Sequence, residues 1–185
     1  SVGALHHFNE INHIANQKLL TCIVGGDNQH YYFDANEANK LCDKLLEIKK
    51  NNSEIELLII TSRRTSDLIK NILTKKLYNI ASVWTGVGKN PYENAIKTSS
   101  FFIVTSDSTS MISECAISGK SIYIYHLPYK RKSLRISSFH EEFNKLNITK
   151  DIKKINKLEK WTYDPLNESK RIASIIKKRI IEENI

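Results

Sequence analysis

Phe101-Phe-Ile-Val104 followed by Thr105-Ser-Asp-Ser-Thr-Ser-Met-Ile-Ser-Glu-Cys-Ala-Ile-Ser-Gly119 and then Ile122-Tyr-Ile-Tyr125 is the stretch that decides the fold. It reads as strand, hydroxyl-rich turn, helix, strand. The turn presents Ser106, Asp107, Ser108, Thr109 and Ser110 at the start of the helix, where free backbone N–H groups and the positive end of the helix dipole favour an anion. Met111 follows in the first turn. Glu114 falls about one turn in, where a carboxylate can accept hydrogen bonds from sugar hydroxyls. Gly119 is placed to end the helix in a left-handed conformation. Ser and Asp at such a turn also serve as ordinary helix caps, so the turn alone leaves both readings open.

Working outward, the same alternation recurs. Leu19 to Val24 is an apolar run ending in Gly25-Gly26. Asp34-Ala-Asn-Glu37 has capping-box spacing and opens a helical pattern through Ala38, Leu41, Cys42, Leu45 and Ile48. Ile55 to Thr61 is a second strand, Ser66-Asp67 opens a second helix, and Ile80 to Trp84 is a third strand. Asn90-Pro91 starts a short helix, since proline suits a first turn. Near-continuous apolar runs predict strands buried on both faces. The expected fold is therefore α/β: a Rossmann-like, doubly wound, five-stranded parallel sheet followed by C-terminal helices. The expected organisation is a connecting segment over 1–18, a Rossmann-like nucleotide-binding domain over 19–146 and a helical extension over 147–185. Within the last, Pro165 to Ile181 reads as a basic amphipathic helix with Ile172, Ile175, Ile176, Ile180 and Ile181 on its apolar side.

In doubly wound sheets ligands bind beyond the carboxyl ends of the strands. Gly25-Gly26 follows the first strand and would let backbone approach a diphosphate, although G-x-G-x-x-G spacing is absent and a plain tight turn is the alternative. Ser62-Arg63-Arg64-Thr65 follows the second strand. Two adjacent guanidinium groups suit bidentate phosphate binding; a solvated turn or a structural ion pair is the alternative. Thr85-Gly-Val-Gly-Lys-Asn90 follows the third strand and lacks P-loop spacing. The six histidines, His6, His7, His13, His30, His126 and His140, show no metal-ligand spacing, and no G-x-S-x-G elbow is present.

The 185 residues carry 41% hydrophobic and 26% charged residues and a formal net charge of +8, which favours an anionic partner. The cations are dispersed and no nucleic-acid reader motif occurs, so nucleic acid is not expected as a partner. Three unpaired cysteines, Cys22, Cys42 and Cys115, suit buried positions in a reducing compartment, and the expected location is cytoplasmic, with a peripheral membrane contact through the basic helix. No apolar stretch approaches the ~20 residues of a membrane span. The chain opens on Ser1-Val-Gly-Ala, without a methionine or an apolar leader, and is read as a fragment whose N-terminal part is missing.

Taken together, several motifs match a known family. Gly3-Ala-Leu-His6, Val24-Gly-Gly26, Thr61-Ser-Arg-Arg-Thr65, Asn90-Pro-Tyr92, Val104-Thr-Ser-Asp-Ser-Thr-Ser-Met-Ile-Ser-Glu114, Gly119-Lys120 and Ser138-Phe-His140 occur in family order over about residues 3 to 146. The chain thus resembles the mitochondrial-fission Elm family, known from plants and bacteria; Ser106 departs from the small apolar residue expected before the Asp. The resemblance implies the C-terminal half of a GT-B-type glycosyltransferase: two Rossmann-like domains, with a nucleotide sugar held mainly by the C-terminal one and the catalytic base usually on the other. It implies that Gly25 and Gly26 approach the diphosphate. It implies further that Arg63, Arg64 and the Ser108–Ser110 turn bind phosphate, and that Glu114 accepts ribose or sugar hydroxyls. Ser62, Thr65, Asn90, Asp107 and Met111 complete the expected site, with no metal and no cofactor beyond the nucleotide-diphosphate sugar as substrate. The partners implied are that nucleotide sugar and the missing N-terminal domain. The plant family's role in mitochondrial division implies a different class of function, a non-catalytic adaptor.

Overall fold

The computed structural model describes residues 2–6 and 16–183; residue 1 and residues 7–15 of the expected connecting segment, His7 and His13 among them, lie outside the described residues. The elements in order are β1 (Asn16–Val24), α1 (Ala35–Asn51), β2 (Glu56–Thr61), α2 (Asp67–Lys76), β3 (Ser82–Trp84), α3 (Tyr92–Thr98), β4 (Ser99–Thr105), α4 (Thr109–Ala116), β5 (Ser121–Tyr125), α5 (Leu134–Lys145), β6 (Thr149–Asp151), a single 3₁₀ turn (Ile152–Lys154) and α6 (Glu168–Glu183).

All six strands are parallel, in the order β3-β2-β1-β4-β5-β6. The sheet grows one way from β1 through β2 to β3, then reverses and grows through β4, β5 and β6. The crevice between the carboxyl ends of β1 and β4 is thus the topological switch point, the usual place for a ligand in open α/β sheets. Register places Val24 beside Thr61, Ile60 beside Trp84 and Thr105 beside Tyr125, so the loops that follow all open on one rim.

Alternation along the strands fills two layers. Cys22, Ile103, Tyr123 and Tyr125 point into the layer built with α1 and α2, where Leu41, Leu45, Ile69 and Leu73 pack. Ile23, Phe102, Val104 and Ile124 point into the other, where Ile96, Ile112, Cys115 and Phe143 pack. Every residue of β4 is buried, as expected of a central strand covered on both faces. The three cysteines are free and fully buried.

The expectation of five strands is corrected to six. β6 is three residues long and lies in a Lys-rich stretch whose alternation is too brief to read as a strand; it pairs with β5 from Ile122↔Thr149 to Ile124↔Asp151. The stretch after residue 146 is therefore not only helical. After the 3₁₀ turn the chain crosses the start of β5, with Trp161 N donating to Ser121 Oγ at 3.0 Å and Leu166 N to Ala116 O at 3.2 Å. The expected capping box at α1 is half made. Asp34 accepts from Glu37 N at 2.8 Å, but the Glu37 carboxylate is buried and accepts from Tyr125 OH at 2.9 Å. Helix α6 begins three residues later than expected and leaves Ile175, Ile176, Ile180 and Ile181 exposed, while its first turn receives the N-terminal segment, Val2 N donating to Glu168 Oε2 and His6 N to Ser169 Oγ.

Candidate functional site

The rim is organised around one buried carboxylate. Asp107 lies in the turn between β4 and α4, and its side chain is inaccessible to solvent. Its Oδ1 accepts from Thr105 Oγ1 at 2.6 Å, and its Oδ2 accepts from Gly26 N at 3.1 Å and from Arg64 Nη2 at 2.7 Å. Burial pushes the Asp107 carboxyl above its ordinary range, and the Thr105 hydroxyl, the Gly26 amide and the Arg64 guanidinium oppose that shift. Gly25 N is taken by Thr105 Oγ1 at 2.8 Å. Thr65 closes the knot from β2, its hydroxyl meeting Gly25 O at 2.6 Å and Val24 O at 2.9 Å, while Ser62 N donates to Val24 O at 2.8 Å.

The two glycines are demanded by this packing. A Cβ on Gly25 would sit 2.1 Å from Asp107 Oδ2, and one on Gly26 would sit 2.1 Å from the Arg64 carbonyl oxygen. Both amides are used inside the protein. Ser106 is held as firmly: its Oγ accepts from Leu127 N at 3.0 Å, and its carbonyl oxygen accepts from His140 Nε2 at 3.0 Å. His140 therefore carries a proton on Nε2, and burial, helped by nearby His126, pushes its pKa down to about 4, which favours the neutral ring near pH 7.

Two cavities flank the start of α4. The first, of about 630 Å³, lies over the ends of β2 and β3. Arg63 and Lys70 supply its cations, Asn90 and Trp84 line it, and Met111 and Glu114 enter from α4. Thr61 Oγ1 donates to Trp84 O at 3.0 Å, tying the two strand ends. The Tyr92 hydroxyl donates to Glu114 Oε2; burial raises the Tyr92 pKa far above its ordinary value, so it stays a donor. The Trp84 indole N–H is buried and has no acceptor among the described residues. A donor left so is costly unless something meets it. The second cavity, of about 670 Å³, is lined by Thr109 and Ser110 on α4, by Arg135, Ser138 and Phe139 on α5, and by residues 2–4.

The expected site residues therefore divide three ways. Ser62, Arg63, Asn90, Met111 and Glu114 share the first cavity. Thr109 and Ser110 face the second. Gly25, Gly26, Arg64, Thr65 and Asp107 form the knot between, and Ser108 caps α4 by accepting from Met111 N at 3.5 Å. Sequence reasoning did not single out Trp84, Tyr92, Lys70, Arg135 or His140 as parts of the site. Tyr92 and His140 stood within matching motifs, but nothing in their spacing gave them a role. Among the described residues no group of His, Cys, Asp and Glu is arranged to hold a metal, and no helix is long and apolar enough to cross a membrane.

This architecture has known counterparts. Part of the Staphylococcus aureus MnaA structure solved with UDP superposes with a TM-score of 0.53 at 11% identity, covering 89% of this chain and 40% of that one. The likeness is one of fold. By sequence the chain is 33% identical over 166 residues to an uncharacterized protein of Rickettsia prowazekii (strain Madrid E), covering 87% of this chain and 46% of the relative. It is 24% identical over 165 residues to the Arabidopsis thaliana mitochondrial fission protein ELM1, covering 88% of this chain and 38% of that protein. The chain thus spans less than half the length of these relatives. The family model for mitochondrial fission ELM1 matches residues 1–180, a span that holds both cavities and the knot between them, and the chain belongs to that family.

Proposed function

We propose that this chain binds a nucleotide-diphosphate sugar as the donor-binding half of a GT-B-type glycosyltransferase, with an acceptor-side N-terminal half as its partner. The observation that carries this reading is the meeting of Arg63 and Glu114 in one cavity beside the start of α4. Their chemistries are complementary to the two ends of a nucleoside diphosphate. Glu114, fixed by the Tyr92 hydroxyl, has a lone pair for ribose hydroxyls. Arg63 and Lys70, with the N-terminus of α4, offer positive potential to the diphosphate. In a transfer reaction, the helix N-terminus and Arg63 would stabilise the charge that builds on the departing diphosphate. The second cavity, lined by Ser110 of the same helix, has the volume for the attached sugar.

A second reading, a non-catalytic adaptor, is favoured by one observation: Ile175, Ile176 and Ile181 of α6 are exposed large apolar side chains, which suit a protein contact. Thermal shift and calorimetry against UDP-, GDP-, ADP- and CMP-sugars separate the two. Stabilisation by one nucleotide class, with the free sugar inert, supports the donor-site reading. Indifference to all four, in this chain and in the chain joined to an N-terminal half, supports the adaptor.

A further inference from the structure

The segment from Pro128 to Arg135 runs from the loop after β5 into the start of α5 on the same rim, and apart from Arg135, which lines the second cavity, it takes no part in the nucleotide reading. It carries Lys130, Arg131, Lys132 and Arg135, and no acidic residue occurs between Pro128 and His140. Nearly all of it is exposed, and Leu134 at the start of α5 is 88% exposed, the most of any large hydrophobic residue described. A single exposed leucine means little. This one lies in a run of sequence that also carries four cations and the exposed Tyr129.

The loop is held in shape. Tyr129 bridges Tyr31 in antiparallel fashion, with their rings stacked at 4.9 Å. Lys130 N donates to His30 O at 2.8 Å and Tyr32 N to Pro128 O at 2.9 Å. The Lys130 ammonium pairs with Asp27 and lies 5.0 Å over the Tyr32 ring. Arg131 N shares the His30 carbonyl at 3.3 Å, and Arg131, Lys132 and Leu134 are exposed.

We propose that this loop docks the protein on an anionic lipid bilayer. Arg131 and Lys132 would lie against acidic headgroups and Leu134 would enter the acyl boundary, the pairing of charge and apolar contact that peripheral binding requires. A nucleic acid would carry the same phosphates. It offers no apolar layer, however, and would leave Leu134 standing in water. Arg135 belongs both to the loop and to the wall of the second cavity, so docking turns the mouth of that cavity toward the headgroups. An amphipathic molecule held in the bilayer could then reach it. This assignment differs from a membrane contact through α6 and stands whether or not a nucleotide binds.

Co-sedimentation of the chain with phosphatidylcholine vesicles, with and without about one third phosphatidylserine, tests it. The expected result is binding to the acidic vesicles only, weakened by salt. Arg131→Gln with Lys132→Gln should lose roughly thirty-fold, at about a fivefold loss per cation. Leu134→Ser should lose several-fold, and Ile176→Ser with Ile180→Ser on α6 should bind as the parent does. Melting temperatures should match throughout, since all of these positions are exposed. No binding by the parent chain overturns the proposal, as does binding lost with the α6 variant but kept by the loop variants. Tighter binding to single-stranded RNA than to the vesicles, lost with the same two cations, overturns it in favour of a nucleic acid.

Discussion

Arg64 Nη2 stands 2.7 Å from Asp107 Oδ2, joining the loop after β2 to the turn after β4 across the switch point of the sheet. The Arg64 side chain is about half exposed, whereas that of Asp107 is not exposed at all. Removing the carboxylate orphans the Gly26 amide and the Thr105 hydroxyl while leaving Arg64 free to turn to water. Asp107→Ala should therefore cost about 3 kcal/mol of stability, the scale for losing charge-assisted hydrogen bonds at a buried site. Chemical denaturation checks this, and a loss near zero would remove Asp107 from its organising role.

The glycines separate packing from backbone conformation. Gly25→Ala and Gly26→Ala drive a Cβ to 2.1 Å from Asp107 Oδ2 and from a backbone carbonyl oxygen, so each should destabilise by about 3 kcal/mol or prevent folding. Gly88 has φ +78 and open space around it, so Gly88→Ala should cost only the left-handed penalty of about 1–2 kcal/mol. Equal melting temperatures for the Gly25 and Gly88 variants would contradict the packing argument.

The two adjacent arginines should not behave alike. Arg63 lines the first cavity, whereas Arg64 is engaged by Asp107. Arg63→Ala should weaken nucleotide-sugar binding by about 1.5–3 kcal/mol and leave stability nearly unchanged. Arg64→Ala should lower both the affinity and the melting temperature. Calorimetry together with thermal melts distinguishes them, and identical profiles for the two variants would show that the ion pair does not divide their roles.

His140 supplies a pH signature. Its pKa falls from an ordinary 6.5 to about 4 because burial disfavours the imidazolium. The unfolded chain therefore binds more protons between those values. The contribution is fully present above about pH 6.5 and is lost as pH falls toward 4, at up to about 1.4 kcal/mol per pH unit. His140→Gln keeps a donor for the Ser106 carbonyl but does not titrate. Its denaturation free energy should fall less steeply than the parent's between pH 6.5 and 4.5, and parallel slopes would refute the assignment.

The parts of this fold that were legible in the sequence are those where local pattern and tertiary role coincide. The run Phe101 to Val104 is apolar because β4 is covered on both faces, and Gly119 adopts φ +64 at the end of α4, as its position implies. β6 escaped notice because three residues cannot establish a period. Ile80 reads as strand by composition yet lies in the turn before β3 and is 38% exposed. At the site, proximity to the strand ends was readable, but the division of labour was not. Gly25-Gly26 looked like room for a ligand, whereas Asp107 fills that room, a fact that depends on residues some eighty positions apart.

The pairing of Glu114 with a ribose is the most direct test of the whole account. Calorimetry should compare the parent chain with Glu114→Gln, titrated first with the nucleotide sugar that stabilises the parent and then with inorganic diphosphate. The account predicts that the substitution weakens nucleotide-sugar binding about tenfold or more, one charged hydrogen bond being worth about 1.5–3 kcal/mol, while diphosphate affinity stays within about twofold. Equal losses for both ligands, or no loss for either, would contradict it.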